Sequence, residues 1–504
     1  MKNHLPPLSR EHLRLWVMLL IIPLCFLFSV FWLRNGGGPF WLWYLVDPSY
    51  FYLYDALNLI NLNWPGHPYH PGTPVQAFGA LLIKAVYPLT GGSAIADAVL
   101  ANPEWYLLLI STATVILTTC GILMVGCVSY RVFENKIFAL VLQAAPFFSM
   151  VTLKNSYQVR PESFLIITMI ALTIVMLSAQ RTNALQNMRF RYAVVFGIIA
   201  GFGVAVKVIA APIFLAPLFL LGSFRAVLIY GGISFLALGF FMLPAIGAWD
   251  VFLNWMVTIS QGSGPYGGGS EGFIDPSAYP KAIREIFGRP ILHIPFILGL
   301  VALAIAVWKR QWNNNAKTVA GLSLAVLAQV LLVAKQPTAN FMVPAYMMSA
   351  LSIIMLVRLI SGFDFGGEKF RIRAGRVTNG LLCILILVQP LSVMRLDKEQ
   401  RSKYVEAVRI DNDQFSMCAR IYFFSSSAPS FALALGDWWT ASRFGEKLAN
   451  TKPSNDFWFE QNTMDFRGWK GTRDIRKVIQ SYPCVYLRGS HWRNMAKYLT
   501  KSAP

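Results

Sequence analysis

Long apolar runs recur through the first three quarters of this chain, and they constrain its fold more than any other feature. A helix needs about 20 predominantly apolar residues to cross a hydrocarbon core of about 30 Å. Runs of this kind predict about eleven membrane-spanning helices. They lie at residues 15–33, 105–128, 136–151, 164–177, 192–208, 213–224, 227–246, 291–308, 318–333, 341–357 and 379–394.

Composition excludes a soluble globular protein. Hydrophobic residues make up 55% of the 504-residue chain, charged residues only 13%, and the mean hydropathy is +0.50. These values are typical of a polytopic α-helical membrane protein. The formal net charge of +20 suits basic cytoplasmic loops and contact with anionic membrane lipids, and it does not call for nucleic acid.

The distribution of Lys and Arg predicts the orientation of the chain. The run at 75–87 is short and bounded by Gly and Pro, so we interpret it as an interfacial amphipathic helix, with a twelfth span as the alternative. Eleven spans, with the N-terminus in the cytoplasm, then leave the short basic loops inside. Residues 34–104, 248–290 and the C-terminal tail face outward, and the first run reads as a retained signal anchor in the inner or plasma membrane.

Composition changes at about residue 395. We predict a membrane domain at 1–394 and a small outward-facing, periplasmic or extracytoplasmic, soluble α/β domain at 395–504. Its predicted strands are 419–424, 456–460 and 485–488, and its predicted helices are 429–449, 474–481 and 491–501. Cys418 and Cys484 flank two of these strands, so they would pair in an oxidising compartment or stay as buried free thiols.

Ionisable residues concentrate in the first outward loop. Asp47 and Asp55 precede a histidine–proline cluster that contains His67, Tyr69 and His70. Such groups beside a membrane suggest chemistry at its surface, although Pro and Gly could merely shape a re-entrant turn here. A second outward stretch, 262–272, is rich in glycine but lacks the strand and helix that a phosphate-binding loop requires, so we interpret it as a mobile outward loop.

Further ionisable residues lie at the predicted outward ends of later spans, where such groups are costly and often functional. Arg160 and Glu162 flank Pro161 at the start of the fourth span, and Lys207 is a lone cation at the end of the fifth. Lys335 begins the turn before the tenth span. The alternatives are an interfacial anchor pair, a snorkelling lysine and an ordinary loop.

Together these groups suit the handling of a lipid-linked phosphate. Lys and Arg hold phosphate oxygens. A carboxylate can act as general base on an acceptor, or hold a divalent metal that neutralises the leaving phosphate.

The order of these motifs resembles the GT-C superfamily of integral membrane glycosyltransferases, in the branch related to protein mannosyltransferases and lipid A aminoarabinose transferases. Asp47-Pro48 looks like the acidic motif of the first outward loop, and residues 69–76 are similar to the segment that leads into the interfacial helix. Arg160 to Glu162, the helix ending at Lys207 and the turn at 335–344 resemble later motifs of the same branch. Histidines stand where several relatives have an acidic residue.

The resemblance implies a glycosyltransferase that moves a sugar from a polyprenyl-phosphate donor to a lipid or glycan acceptor, with single displacement and inversion. The implied catalytic residues are Asp47, Asp55 and Glu162. The implied ligands of the donor phosphate are Lys207, Arg160 and Lys335. The residues that would position the acceptor or sugar are His67, His70, Tyr69 and Gln76. Asp47 and His70 are the candidate ligands of an optional Mg²⁺ or Mn²⁺.

Two other classes of function stay open. A flippase or transporter of a lipid-linked saccharide would need the same cations but no general base. A non-catalytic scaffold would use its tail to bind a partner. The tail contains tryptophans that would either stack on sugars or simply pack in the core of the domain. They are Trp438, Trp439, Trp458, Trp469 and Trp492.

Overall fold

A computed structural model describes most of the chain. The described residues are 10–43, 49–90, 94–363, 368–410, 415–423, 426, 428–452, 455–460, 465–469 and 471–489. The predicted helix at 491–501, Trp492 and Asp47 lie outside them.

The described residues up to 410 are mostly helical. In chain order the α-helices are α1 (Arg10–Gly36), α2 (Ser49–Ile60), α3 (Thr73–Thr90), α4 (Ile95–Ala101), α5 (Pro103–Phe133), α6 (Lys136–Gln143), α7 (Met150–Ser156), α8 (Pro161–Ala179), α9 (Ala184–Val206), α10 (Leu218–Leu221), α11 (Phe224–Met242), α12 (Trp249–Gln261), α13 (Tyr279–Phe287), α14 (Pro290–Trp308), α15 (Asn314–Ala334), α16 (Val343–Ser361), α17 (Glu368–Leu387) and α18 (Gln389–Ile410). Short 3₁₀ helices lie at Phe40–Trp43, Ala145–Phe148, Val208–Leu215, Leu243–Ala248, Pro265–Gly267 and Ala339–Met342.

Nine helical stretches within the described ranges are long and apolar enough to cross a membrane. They are Arg10–Gly36, Pro103–Phe133, Pro161–Ala179, Ala184–Val206, Phe224–Gln261, Pro290–Trp308, Asn314–Ala334, Ala339–Ser361 and Gly375–Val405. Eight of them contain one of the predicted runs, and Ala184–Val206 covers all but the last two residues of the run at 192–208. The protein is therefore a polytopic helical membrane protein, as its composition predicted.

The other two predicted spans differ from these nine because each is a broken helix. The run at 136–151 is divided between α6, a 3₁₀ turn and α7, with Pro146 at the break. The run at 213–224 is divided between a 3₁₀ helix and α10, with Pro212 just before the run and Pro217 within it. Proline lacks an amide hydrogen and clashes with the preceding turn, so it interrupts a helix. The predicted interfacial helix at 75–87 lies within α3, which is not among the nine.

Several helix ends meet at one end of the bundle. At the start of α5, a Glu104 carboxylate oxygen accepts a hydrogen bond from the backbone of Phe40, just beyond α1, at 2.7 Å. At the start of α8, Glu162 pairs with Lys207, just beyond α9. We call this end of the bundle the loop end, because the first loop lies there.

The compositional boundary at residue 395 falls inside α18. The helix continues to Ile410, and its Gln400 side chain donates a hydrogen bond to the hydroxyl of Tyr157, where both residues are buried. The last helix of the membrane region thus extends over the loop end.

The chain beyond α18 forms a small α/β unit. Its elements are β1 (Ala419–Tyr422), α19 (Pro429–Trp439), α20 (Gly445–Thr451), β2 (Asp456–Glu460), β3 (Asp465–Gly468), β4 (Gly471–Arg473), α21 (Ile475–Ser481) and β5 (Val485–Arg488). The strand order is β4-β3-β2-β1-β5. β1 is parallel to β2 and to β5, with Ile421 opposite Phe457 and Leu487, whereas β2, β3 and β4 are antiparallel.

The three strands predicted in this unit are present. The hairpin of β3 and β4 was not predicted, because strands of three or four residues carry little periodicity. The helix predicted at 429–449 is two helices, since Ala441 and Ser442 adopt positive φ of 76° and 51° between α19 and α20. Cys418 and Cys484, one residue before β1 and β5, form a disulfide, which decides between the two alternatives.

The α/β unit docks on the first loop through α19. A Cβ at Gly436 would lie 2.7 Å from the Tyr54 ring of α2, so the two helices touch closely only because glycine stands there. The Asn58 side-chain amide donates to the carbonyl of Thr440 at 3.0 Å. At the surface, the Lys447 ammonium lies 2.6 Å from the Asp97 carboxylate.

Candidate functional site

A buried ion pair lies at the loop end. Glu162 occupies the first turn of α8, behind Pro161, where the helix dipole favours a carboxylate. Lys207 follows the last residue of α9 in extended conformation. The Lys207 Nζ and Glu162 Oε1 atoms are 2.7 Å apart, and the two side chains are only 2% and 3% exposed. The pair therefore joins the ends of two membrane helices in a nearly dry environment.

The backbone around Lys207 holds the histidine–proline cluster. The Val208 amide donates to the His70 carbonyl at 3.1 Å, and Pro71 forms a β-bridge with Lys207. The Lys207 ammonium also lies over the ring of Phe341, 4.6 Å from its centroid. Two segments that are far apart in sequence, 67–71 and 335–344, thus meet at one lysine.

The start of the same cluster is held by Asp55, which is completely buried. One Asp55 oxygen accepts from the Gly66 amide at 2.7 Å and the Asn58 side chain at 3.1 Å. The other accepts from the His67 amide at 3.1 Å and the Gln76 side chain at 2.9 Å. With four donors around it, Asp55 is placed to fix the loop rather than to touch a substrate.

Burial also changes the proton affinity of this carboxyl group. Desolvation raises the pKa of Asp55 to about 7, and the hydrogen bonds that it accepts oppose that rise. Burial likewise raises the pKa of Asp437, on α19, to about 6. Two carboxyl groups at the junction of the first loop and the α/β unit are therefore sensitive to pH near neutrality.

Aromatic rings surround His67 and Tyr69. The His67 ring lies 4.9 Å from the rings of Phe51 and Tyr69, centroid to centroid. Tyr69 in turn contacts Trp255 of α12 at 5.1 Å and Trp439 of α19 at 5.8 Å. The histidine–proline cluster is thus enclosed by α2, α12 and the α/β unit.

Arg160 lies in a polar network beside the ion pair. Its guanidinium donates to the Asn155 side chain at 3.4 Å, and the Asn155 amide donates to Asn340 at 3.1 Å. Asn340 directly precedes Phe341, whose ring faces Lys207. The turn before α16 therefore connects Arg160 with the Glu162–Lys207 pair.

Lys335 has different neighbours. Its ammonium approaches the Ser260 carbonyl at 3.5 Å and lies over the Phe273 ring, 4.0 Å from the centroid. Both partners belong to the predicted second outward loop, 248–290. The contacts of Lys335 thus associate it with residues 258–273 rather than with Lys207.

The structure brings together Glu162, Lys207 and the backbone of His70, with Arg160 connected through asparagines. His67, Tyr69 and Gln76 lie in the layer around Asp55. Sequence reasoning missed Phe341, Asn155 and Asn340 as individual contacts, although two of them lie in the turn that it selected. No signal in the sequence marked Trp439 or Thr440 as neighbours of the first loop, since that contact joins segments nearly 400 residues apart.

A metal site is not evident among the residues that the structure describes. No group of three or more His, Cys, Asp or Glu side chains there is arranged to hold an ion. Asp47, one of the two candidate ligands, lies outside those residues, so a site built on Asp47 and His70 stays a prediction. Comparison of the chain with protein-family models, curated proteins and solved structures finds no match.

Proposed function

We propose that this protein is a membrane glycosyltransferase of the GT-C type that uses a polyprenyl-phosphate sugar donor. The observation that carries the proposal is the buried Glu162–Lys207 ion pair next to the histidine–proline loop. Burying two charges costs several kcal/mol per ion before their attraction offsets it, so such a pair is weak evidence for stability. Its position at the ends of two helices beside the first loop fits a lysine that binds an anionic ligand.

In this proposal the donor phosphate exchanges partners with the ion pair. Its oxygens approach Lys207, which is already desolvated, so the attraction in that environment is stronger than in water. Arg160, linked through Asn155 and Asn340, supplies a second cation with a planar fork suited to phosphate. Lys335 is assigned elsewhere, because its contacts are with the second loop.

The proposed chemistry is a single displacement at the anomeric carbon. A carboxylate takes the acceptor proton as the acceptor oxygen or nitrogen forms its bond to that carbon. The bond from carbon to phosphate oxygen breaks, and the electron pair leaves with the polyprenyl phosphate, inverting the configuration. The base we propose is Asp47; Ser49, two residues later, accepts a hydrogen bond from the Val159 amide, next to Arg160.

Other residues have positioning roles. Glu162 orients Lys207 through the ion pair. The His70 carbonyl accepts a hydrogen bond from the Val208 amide and so holds the backbone next to Lys207. Asp55, the second choice as base, holds His67 and Gln76 in place. A Mg²⁺ or Mn²⁺ ion would add charge neutralisation if Asp47 and His70 held one, but the proposed step does not depend on it.

The proposed architecture has about eleven crossings. The broken segment of α6 and α7 begins after the far end of α5 and ends at Asn155, which bonds to Asn340 at the loop end. The segment at 208–221 leaves Lys207, and its Phe219 contacts Trp312, beyond the far end of α14. Each runs from one end of the bundle to the other. Added to the nine long helices, they support the count.

We further propose that the loop end faces the periplasm or extracellular side. With the N-terminus in the cytoplasm, the basic short connections fall at the far end, in agreement with the preference of Lys and Arg for the cytoplasmic side. Those connections lie at 131–136, 181–191, 225 and 309–317. The Cys418–Cys484 disulfide suits an oxidising compartment for the α/β unit.

A flippase for a lipid-linked saccharide is the second candidate. The same ion pair favours it, because a lysine that exchanges a carboxylate for a phosphate could also pass a headgroup between leaflets. A flippase needs no base, so the two candidates differ in their dependence on Asp47.

The test is transfer of label from a panel of radiolabelled polyprenyl-phosphate sugars in membranes that contain the protein. We expect label to reach a new acceptor with wild type and to be lost with Asp47→Asn and Lys207→Met at matched expression. The control variants Asp97→Asn and Lys84→Met change exposed residues of the same types and should keep transfer.

Transfer that is unchanged in Asp47→Asn would contradict the assignment of the base. Label that never leaves its lipid but changes leaflet, equally in wild type and Asp47→Asn, would favour the flippase. The leaflet is read from the accessibility of the lipid-linked sugar to a soluble glycosidase in sealed vesicles.

A further inference from the structure

The second outward loop forms a cavity that the proposed chemistry does not use. Residues 262–272 fold back as a hairpin, with Gly262 bridged to Glu271 and the Ser263 amide donating to the Ser270 carbonyl at 2.9 Å. Between this hairpin and the last turn of α12 lies a cavity of about 570 Å³. Its walls come from Thr258, Ser260, Gln261, four glycines, Glu271 and Phe273.

The cavity presents several hydrogen-bond acceptors, and the amide side chain of Gln261 adds both donors and an acceptor. The Thr258 hydroxyl donates its hydrogen to the Asn254 carbonyl at 2.9 Å, and the Ser260 hydroxyl donates to Val257 at 2.7 Å. Both hydroxyl oxygens therefore keep only lone pairs for a ligand. Glu271 adds a carboxylate. Walls of this kind favour a neutral ligand with many O–H donors and disfavour an anion.

An aromatic surface completes the cavity. Phe273 is 62% exposed although it is a large apolar side chain, and its ring is held by the Lys335 ammonium at 4.0 Å. An exposed aromatic ring beside hydrogen-bond acceptors suits the two kinds of surface that a sugar presents, its C–H face and its hydroxyl edges. The ammonium also lies 3.5 Å from the Ser260 carbonyl.

The cavity adjoins the proposed reaction site along two paths. α12, which forms its floor, carries Trp255 against Tyr69 of the histidine–proline cluster, 5.1 Å between ring centroids. The turn that begins at Lys335 reaches Phe341, whose ring lies over Lys207. A ligand in the cavity would therefore lie beside, and not on, the residues proposed to hold the donor phosphate.

We propose that this cavity, formed by α12, the 262–272 hairpin and Phe273, binds the acceptor as a neutral, hydroxyl-rich saccharide. That the bound saccharide is the acceptor rests on the proposed transferase function. The binding of a saccharide itself can be measured without any transfer.

The test is saturation-transfer NMR on the purified full-length protein in lipid nanodiscs with a panel of methyl glycosides of common hexoses and N-acetylhexosamines. We expect at least one glycoside to receive saturation from wild type, and its signal to fall about fivefold or more in Phe273→Ala, which removes the stacking surface. Ile274→Ala, a neighbour that does not line the cavity, should keep the signal. Equal unfolding midpoints of the two variants will show that both are folded.

Absence of a signal from every glycoside, or an equal signal in wild type and Phe273→Ala, would overturn the proposal. So would a signal that inorganic phosphate removes, because that would identify an anion site. If wild type binds a glycoside through Phe273 but never transfers a sugar, the cavity assignment stands and the transferase proposal fails. If transfer occurs and no glycoside binds, the opposite holds.

Discussion

Glu162 and Asp55 are both buried carboxylates at the loop end, and they are compensated in different ways. Glu162 forms an ion pair with the ammonium of Lys207 at 2.7 Å. Asp55 is surrounded by four N–H donors from its own loop and from Gln76. An ion pair between two side chains can exchange one partner for a ligand, whereas four converging hydrogen bonds fix a carboxylate in place.

Asp55 and Lys207, the partner of Glu162, hold the two ends of the same segment. Asp55 fixes the start of the histidine–proline cluster through the amides of Gly66 and His67, and the backbone of Lys207 and Val208 fixes its end at His70 and Pro71. The comparison teaches that burial alone does not identify a reactive carboxylate. What its oxygens already bind indicates whether it is free to act on a ligand.

The largest effect should follow from removing the cation of the ion pair. Lys207→Met leaves the Glu162 carboxylate buried without its ammonium, which typically costs about 3–5 kcal/mol. We expect a lower thermal unfolding midpoint in detergent and loss of transfer. The double variant Lys207→Met/Glu162→Leu should regain most of the stability and none of the transfer.

An unchanged unfolding midpoint in Lys207→Met would contradict the comparison. The ion pair would then contribute no more to the free energy of unfolding than a surface contact does. Recovery of transfer in the double variant would remove Lys207 from the phosphate site. The exposed Lys84→Met on α3 is the matched control for loss of a lysine.

The second effect is a dependence of stability on pH that comes from Asp55. The pKa of Asp55 is about 7 in the folded protein, whereas its ordinary value is 3.8. At pH values between these two, the folded state holds a proton that the unfolded state has lost. Stability should therefore fall as pH rises from 4 to 7, by an amount on the order of 4 kcal/mol at about 1.4 kcal/mol per pKa unit.

Unfolding midpoints measured from pH 4 to 8 will check this. Asp55→Asn should flatten most of the slope, and a smaller slope should remain from Asp437, whose pKa is raised to about 6. The exposed Asp97→Asn should leave the slope as in wild type. A slope that persists in full in Asp55→Asn would show that Asp55 is not the group that titrates.

A smaller effect is expected from removing one of the four donors. Gln76→Leu keeps the approximate volume of the side chain but removes its hydrogen bonds to Asp55, at 2.9 Å, and to the His67 carbonyl, at 3.3 Å. The cost should be about 1.5–3 kcal/mol at pH values where Asp55 is ionised. Because a donor to the charged form is lost, the pKa of Asp55 should rise further.

Titration of the Asp55 carboxyl by NMR in wild type and Gln76→Leu would measure that rise. An unchanged pKa and midpoint would mean that the remaining three donors suffice. The contrast between Asp55 and Glu162 would then be sharper, since Asp55 would tolerate the loss of a partner.

The membrane class, the positions of the long helices and three strands of the α/β unit were predictable, because composition, long apolar runs and short apolar stretches are all visible in the local sequence. The prolines at the helix breaks, Pro146, Pro212 and Pro217, are present in the sequence. The apolar runs around them nevertheless predicted continuous spans. The hairpin of β3 and β4 is too short to produce a pattern.

The candidate site was predictable in part. Glu162 and Lys207 stood out because a charge at a membrane helix end is costly, and the structure joins them. Lys335 stood out for the same reason, yet it contacts the second loop. The free-energy cost of a charge near a membrane identifies a candidate residue but does not identify its partner. The partner comes from another segment, and which segment lies next to it depends on the whole fold.

The smallest effect should come from the surface pair of Lys447 and Asp97. Its atoms are 2.6 Å apart, but both side chains are about half exposed, 47% and 48%, and exposed pairs contribute roughly 0–1 kcal/mol.

The α/β unit docks instead through buried contacts, Asn58 to Thr440 and Gly436 against Tyr54. Hydrogen exchange of α2 amides should therefore be nearly unchanged in Lys447→Ala and clearly faster in Asn58→Leu, which removes the bonds to both Asp55 and Thr440. Equal exchange in the two variants would show that Asn58 does not couple the Asp55 layer to the α/β unit, and Asp55 would then serve the first loop alone.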